Sequence, residues 1–70
     1  PRSCLRGTYA VEVYDEMNDR ILVQTRQGSR AVAEREFARL LAKLALPGRV
    51  VQLVCQTRGG YAAGVKRRPR

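Results

Sequence analysis

RAVAEREFARLLAKLALPG, Arg30 to Gly48, is the stretch whose reading decides the fold. Ala33, Phe37, Leu40, Leu41 and Leu44 recur at spacings of three and four. That spacing puts them on one stripe of an amphipathic helix. Residues of high helix propensity fill the positions between them. Ser29 is placed to cap the first turn, because its hydroxyl can accept from an otherwise orphaned amide. The helix is expected over Arg30 to Leu46, with Leu46-Pro47-Gly48 as its stop. Proline cannot continue the amide ladder, and glycine tolerates the reversal that follows.

The sequence on either side changes period. GTYAVEVY, Gly7 to Tyr14, alternates in twos, with Tyr9, Val11 and Val13 on one side. DEMND, Asp15 to Asp19, reads as a turn, since short polar side chains satisfy turn backbone locally. RILVQTR, Arg20 to Arg26, reads as the return strand, with Ile21, Val23 and Thr25 on one side and Leu22, Gln24 and Arg26 on the other. After the helix, RVVQLVCQT, Arg49 to Thr57, is rich in β-branched residues. Val51, Leu53 and Cys55 share one face, and Val50, Gln52, Val54 and Gln56 the other. Apolar residues on both faces point to a central strand, and which face meets the helix stays open. Arg58-Gly59-Gly60 reads as a turn, and Tyr61 to Lys66 as a thin fourth strand.

The resulting order is ββαββ. The fold class is α+β: one small domain, with an antiparallel sheet of three or four strands and one amphipathic helix across one face. Residues 1–6 are expected to be an N-terminal extension, 7–66 the domain, and 67–70 a basic C-terminal tail. The expected core is Tyr9, Val11, Val13, Ile21, Val23, Phe37, Leu40, Leu41, Leu44, Val51, Leu53 and Cys55. A chain of 70 residues buries a modest fraction of its surface, so it needs an efficient core, a cross-link or a partner. Cys4 and Cys55 are too few for a disulfide scaffold. They are read as two reduced thiols, with a mutual bridge as the less favoured option, and the protein is expected to be cytoplasmic. No apolar run is long enough to span a bilayer, and these residues show no secretory leader.

The inventory of side chains argues against catalysis. There is no histidine. Ser3 and Ser29 lie in no nucleophile motif, and Glu34 and Glu36, two apart on a helix, point in different directions. The chain is therefore read as a non-enzyme, without cofactor or metal. The DEMND turn lacks the ligand spacing of a calcium loop.

Charge is the feature that points outward. The formal net charge is +8. Residues 1–29 balance four arginines against four acids, so the whole excess lies in residues 30–70. Such a field favours phosphate backbones, anionic membranes or acidic proteins, and because no amphipathic apolar segment accompanies the terminal cations, no membrane partner is expected. Arginine outnumbers lysine twelve to two, a skew that coding bias would also produce, so part of the charge can be inherited composition. Candidate nucleic-acid contacts are a helix ridge of Arg35, Arg39 and Lys43, the turn residue Arg58, and the terminal cations Lys66, Arg67, Arg68 and Arg70. In the simplest register the sheet face away from the helix shows Thr8, Glu12, Tyr14, Gln24, Arg26, Gln52, Gln56 and Lys66. Of these, Tyr14, Gln24, Arg26, Gln52 and Gln56 suit base contacts. Leu22, Val50 and Val54 share that register and would form a dimer surface instead. The leading expectation is a small basic nucleic-acid-binding module, mainly electrostatic, with modest sequence preference. The alternative is a protein-interaction module, homodimeric or bound to an acidic protein.

Overall fold

The computed structural model describes residues 4–44, 46–59 and 62–69. Strand β1 is Tyr9–Asp15, β2 is Arg20–Gln27, helix α1 is Arg30–Leu44, β3 is Arg49–Gln56 and β4 is Ala62–Arg68. The strands form one antiparallel sheet in the order β2-β1-β3-β4. The chain is thus a small α+β domain of ββαββ order. β2 and β3, joined through the helix, run in the same direction with β1 between them.

The helix begins as its sequence demands. The Ser29 hydroxyl accepts from the Val32 amide at 3.3 Å, and the Ser29 carbonyl accepts from Ala33 at 3.0 Å. Its described span runs to Leu44, and Leu46, expected as its last residue, lies outside it. Pro47 disfavours helical backbone in the residue before it, so Leu46 belongs to the exit turn. That turn is closed by the Arg49 amide on the Leu46 carbonyl at 3.0 Å, with Gly48 at a positive φ of 81°. One side of α1 packs on the sheet. Ala33, Phe37 and Leu40 meet Val11 and Val13 of β1 and Val51 and Leu53 of β3, which settles the face of β3 that turns inward.

Two bulges depart from strict alternation, one in each edge strand. The β1–β2 register slips between Val13 and Tyr14, which face Val23 and Ile21 and leave Leu22 over. The β3–β4 register slips between Leu53 and Val54, which face Lys66 and Gly64 and leave Val65 over. A bulge inserts one residue and reverses the facing of everything beyond it. Leu22 and Val65 therefore pack against the helix-side core. Ile21, expected in the core, is thrown to the open face and is 49% exposed. Lys66, expected on the open face, is turned toward the helix instead. β4 also runs through Arg68, so Arg67 and Arg68 belong to the sheet rather than to a free tail.

The cysteines are bonded to each other. Cys4 and Cys55 form a disulfide with Cα atoms 5.7 Å apart, which corrects the reading of two reduced thiols. Cys55 is 1% exposed beneath it. Cys4 bridges to Thr57 and the Leu5 amide donates to Gln56 at 2.8 Å, so this part of the expected extension is built into the sheet. Gly7, at a positive φ of 75°, turns the chain from this pairing into β1. Among the described residues, no helix is long and apolar enough to cross a membrane.

Candidate nucleic-acid interface

Among the described residues no helix covers the sheet face opposite α1, although Ala10, Glu12 and Val50 on it are buried, and its side chains fall into rows across the strands. Arg26, Ala10, Val54 and Gly64 stand abreast on β2, β1, β3 and β4. The next row is Gln24, Glu12, Gln52 and Arg67. Beyond it come Ile21, Tyr14 and Val50. Between the two interior rows the side chains change size. Ala10, Val54 and Gly64 are small, and the glutamines and Glu12 beside them are long. The result is a transverse trough with a low floor and an amide wall.

Two adjoining hollows occupy this trough and share Val54. The first, about 250 Å³, lies between Thr8, Ala10, Gln24, Arg26 and Gln56. The second, about 410 Å³, lies between Gln52, Gly64 and Arg67. Arg26 thus stands at one end and Arg67 at the other. The wall is held rigidly. Gln24 Nε2 donates to Glu12 Oε2 at 2.6 Å, and Gln52 Nε2 donates to Glu12 Oε1 at 2.6 Å. Glu12 is 9% exposed, so the carboxylate is buried and both its oxygens are bonded. Thr8 closes the opposite side, accepting from the Gln56 amide at 3.1 Å and donating to the Leu5 carbonyl at 2.6 Å.

Tyr14 ends its row near the β1–β2 turn, where its hydroxyl donates to Asp19. That hydrogen bond holds the phenol above the usual tyrosine range. Asp15 binds the amides of Met17 and Asn18 and the Asn18 side chain, the last at 2.7 Å. The Asn18 side chain is the main reason its carboxyl sits below the usual range. Asp15 and Asp19 are therefore engaged within the turn, and no three metal-ligating side chains gather among the described residues.

The cations named from the sequence do not converge. Arg35, Arg39 and Lys43 are exposed on the helix, on the far side of the molecule from the trough. Arg39 donates twice to Glu36, at 2.9 and 2.5 Å. That pairing raises Arg39 and lowers Glu36 from their ordinary values. Lys66 is paired with Glu34 at 2.6 Å and lies 5.7 Å from the centre of the Phe37 ring. Arg68 turns back to donate to the Arg67 carbonyl at 2.8 Å. Arg58 is exposed after β3, and Arg70 lies outside the described residues. The expected dimer patch does not assemble either. Leu22 faces the helix core and Val50 is 2% exposed, which leaves Val54 alone of the three in the trough.

The structure instead gathers Tyr14, Gln24, Arg26, Gln52, Gln56 and Arg67 on one face. Sequence reading missed the centre of this arrangement, Glu12. Alternation places it on a solvated face, and nothing in Ala10-Val11-Glu12-Val13-Tyr14 signals that both flanking strands supply an amide to it. No protein-family model matches the chain, no curated protein matches it, and no solved structure matches it.

Proposed function

We propose that the chain is a small nucleic-acid-binding module that takes a single strand across its open sheet face. The observation that supports this reading is the trough, with an arginine at each end and amides along its wall, on a chain of net charge +8. Arg26 and Arg67 suit phosphates, while Gln24, Gln52 and Gln56 suit base edges. A duplex groove is read by an element that protrudes. A recess suits bases already splayed from their stack. The role proposed is binding, without a catalytic step. The Cys4–Cys55 bridge favours an oxidising setting over the cytoplasm expected from the sequence.

The test is fluorescence anisotropy with labelled oligonucleotides of about 12 nucleotides, single-stranded and duplex, over a salt series. Micromolar-range single-strand binding at low salt is expected. The Arg26→Ala/Arg67→Ala protein should lose about 1.4 from the log–log salt slope, two phosphates' worth for a single strand. The Arg35→Ala/Arg39→Ala protein should keep nearly the parental slope. No binding at low salt would end the nucleic-acid reading. A slope lost only in the helix variant would move the interface to α1.

A further inference from the structure

Glu12 is an unusual group to find where it is. It lies at the middle of β1, on the open face, with apolar Ala10 in the row before it and Val50 beside Tyr14 in the row after. Burying a carboxylate is costly unless hydrogen bonds replace its water. An apolar residue of similar size would serve stability as well or better. Among the described residues no cation pairs with it: its immediate neighbours on both sides are glutamines, and Arg67 of the same row lies beyond Gln52. What Glu12 does supply is direction.

An ionised carboxylate can only accept. It therefore forces the nitrogen, not the oxygen, of each neighbouring amide to face it, and the usual ambiguity of amide orientation is removed. Gln24 and Gln52 each use one N–H on Glu12 at 2.6 Å. Each keeps its oxygen, with two lone pairs, and a single N–H for a ligand. The wall of the trough is therefore richer in acceptors than in donors. A ligand gains most there if it brings amino hydrogens. Cytosine, adenine and guanine carry an exocyclic amino group with two N–H donors, which can reach both amide oxygens, whereas thymine and uracil present a carbonyl oxygen in its place and keep a single ring N3–H donor.

We infer that Glu12 is a positioning residue that fixes the Gln24 and Gln52 amides so that the trough selects amino-bearing bases over thymine and uracil. This rests on the single-strand reading above and adds a specificity to it. Arg26 and Arg67 supply the attraction to phosphate, which is blind to sequence, and the Glu12-held amides supply the choice.

The test compares oligo(dC) with oligo(dT) of equal length at neutral pH and low salt. The two differ at the pyrimidine 4-position, amino against carbonyl, at N3, bare acceptor against N–H donor, and at the thymine methyl. Oligo(dU) serves as the control for that methyl. Oligo(dC) is expected to bind about fivefold or more tightly than either, the lower end of what one good base contact discriminates. Glu12→Gln is expected to bring the ratio close to one, because a third amide can face its neighbours either way round. The ratio is the readout, since a loss of folded protein would weaken both oligonucleotides alike. If Glu12→Gln does not fold, Gln24→Met on the edge strand removes one fixed amide and should lower the ratio. Equal binding of the oligonucleotides to the parent protein overturns the inference and leaves the single-strand reading standing. Failure of all of them to bind overturns both. An unchanged ratio in the folded variant overturns the role of Glu12.

Discussion

Lys66 of β4 and Glu34 of α1 are joined across the helix–sheet boundary, Nζ to Oε1 at 2.6 Å. The pair, with Arg30 on the other carboxylate oxygen at 3.2 Å, ties the last strand to the helix. The hydrogen bond from Lys66 is the main reason the Glu34 carboxyl sits below its ordinary range. A carboxyl lowered on folding contributes stability above its unfolded pKa and loses it as pH falls through the folded one. Lys66→Ala should therefore cost about 1 kcal/mol or less near neutral pH, as a largely exposed pair does. The difference from the parent should shrink as the pH falls below the ordinary glutamate range and through the lowered folded value. Urea melts of both proteins over that range check it, and a difference that persists in acid would assign the effect to packing on Phe37 instead.

The bulge in β2 makes adjacent residues unequal. Ile21 is half-exposed, whereas Leu22 packs against the core. Ile21→Ser should change stability by no more than about 0.5 kcal/mol, in keeping with surface positions. Leu22→Ser should cost well over 1 kcal/mol by removing apolar burial. Regular alternation predicts the reverse order, so thermal melts of the two variants decide between a bulged and an unbulged strand.

The disulfide joins residues 51 apart in sequence. Loop-closure entropy gives such a bridge roughly 4 kcal/mol, if the native state carries no compensating strain. For a chain this small that is a large part of any stability it has. Denaturant melts with and without dithiothreitol should show a clear drop in midpoint, and Cys4→Ser should reproduce it without reductant. Identical midpoints would mean the unfolded chain is not restrained by the bridge.

Tyr14 reports on the β1–β2 turn. Its phenol should ionise above the usual tyrosine range because its hydroxyl donates to Asp19. Asp19 has a positive φ of 52°, so Asp19→Gly keeps the turn while removing the acceptor. Ultraviolet titration should show one tyrosine moving to lower pH in that variant. No movement would mean that the pair does not hold in solution.

The parts of the fold legible in the sequence are those governed by one local rule. The Ala33–Leu44 stripe specifies the helix, Ser29 its start, and the alternation of Tyr9, Val11 and Val13 the inner face of β1. Bulges escape such reading because they sit inside apolar runs. In Ile21-Leu22-Val23 any phase of alternation finds a hydrophobic residue, so only pairing with β1 reveals which one is extra. The same slip in β4 hides the destination of Lys66. The disulfide and the Glu12 clamp are beyond local rules altogether. The disulfide joins residues 51 apart and the clamp reaches 12 and 40 positions along the chain, and the order β2-β1-β3-β4 is what makes them neighbours. The candidate site was accordingly legible as a set of residue types, Tyr14, Gln24, Arg26, Gln52 and Gln56, but not as a trough with a centre.

The bridge between Cys4 and Cys55 has a topological meaning. It closes the backbone from residue 4 to residue 55 into a covalent ring that holds β1, β2, α1 and β3. Of the four strands, β4 alone lies outside the ring. It is attached by its ladder to β3, by Val65 against the core and by the Lys66–Glu34 pair. Those ties can open without any part of the ring unfolding, so hydrogen exchange in β4 should outpace that in β1 and β3. Arg67, one end of the trough, rides on that outer strand. Three strands of the candidate face are thereby held in one covalent ring, and the fourth is held by noncovalent ties alone.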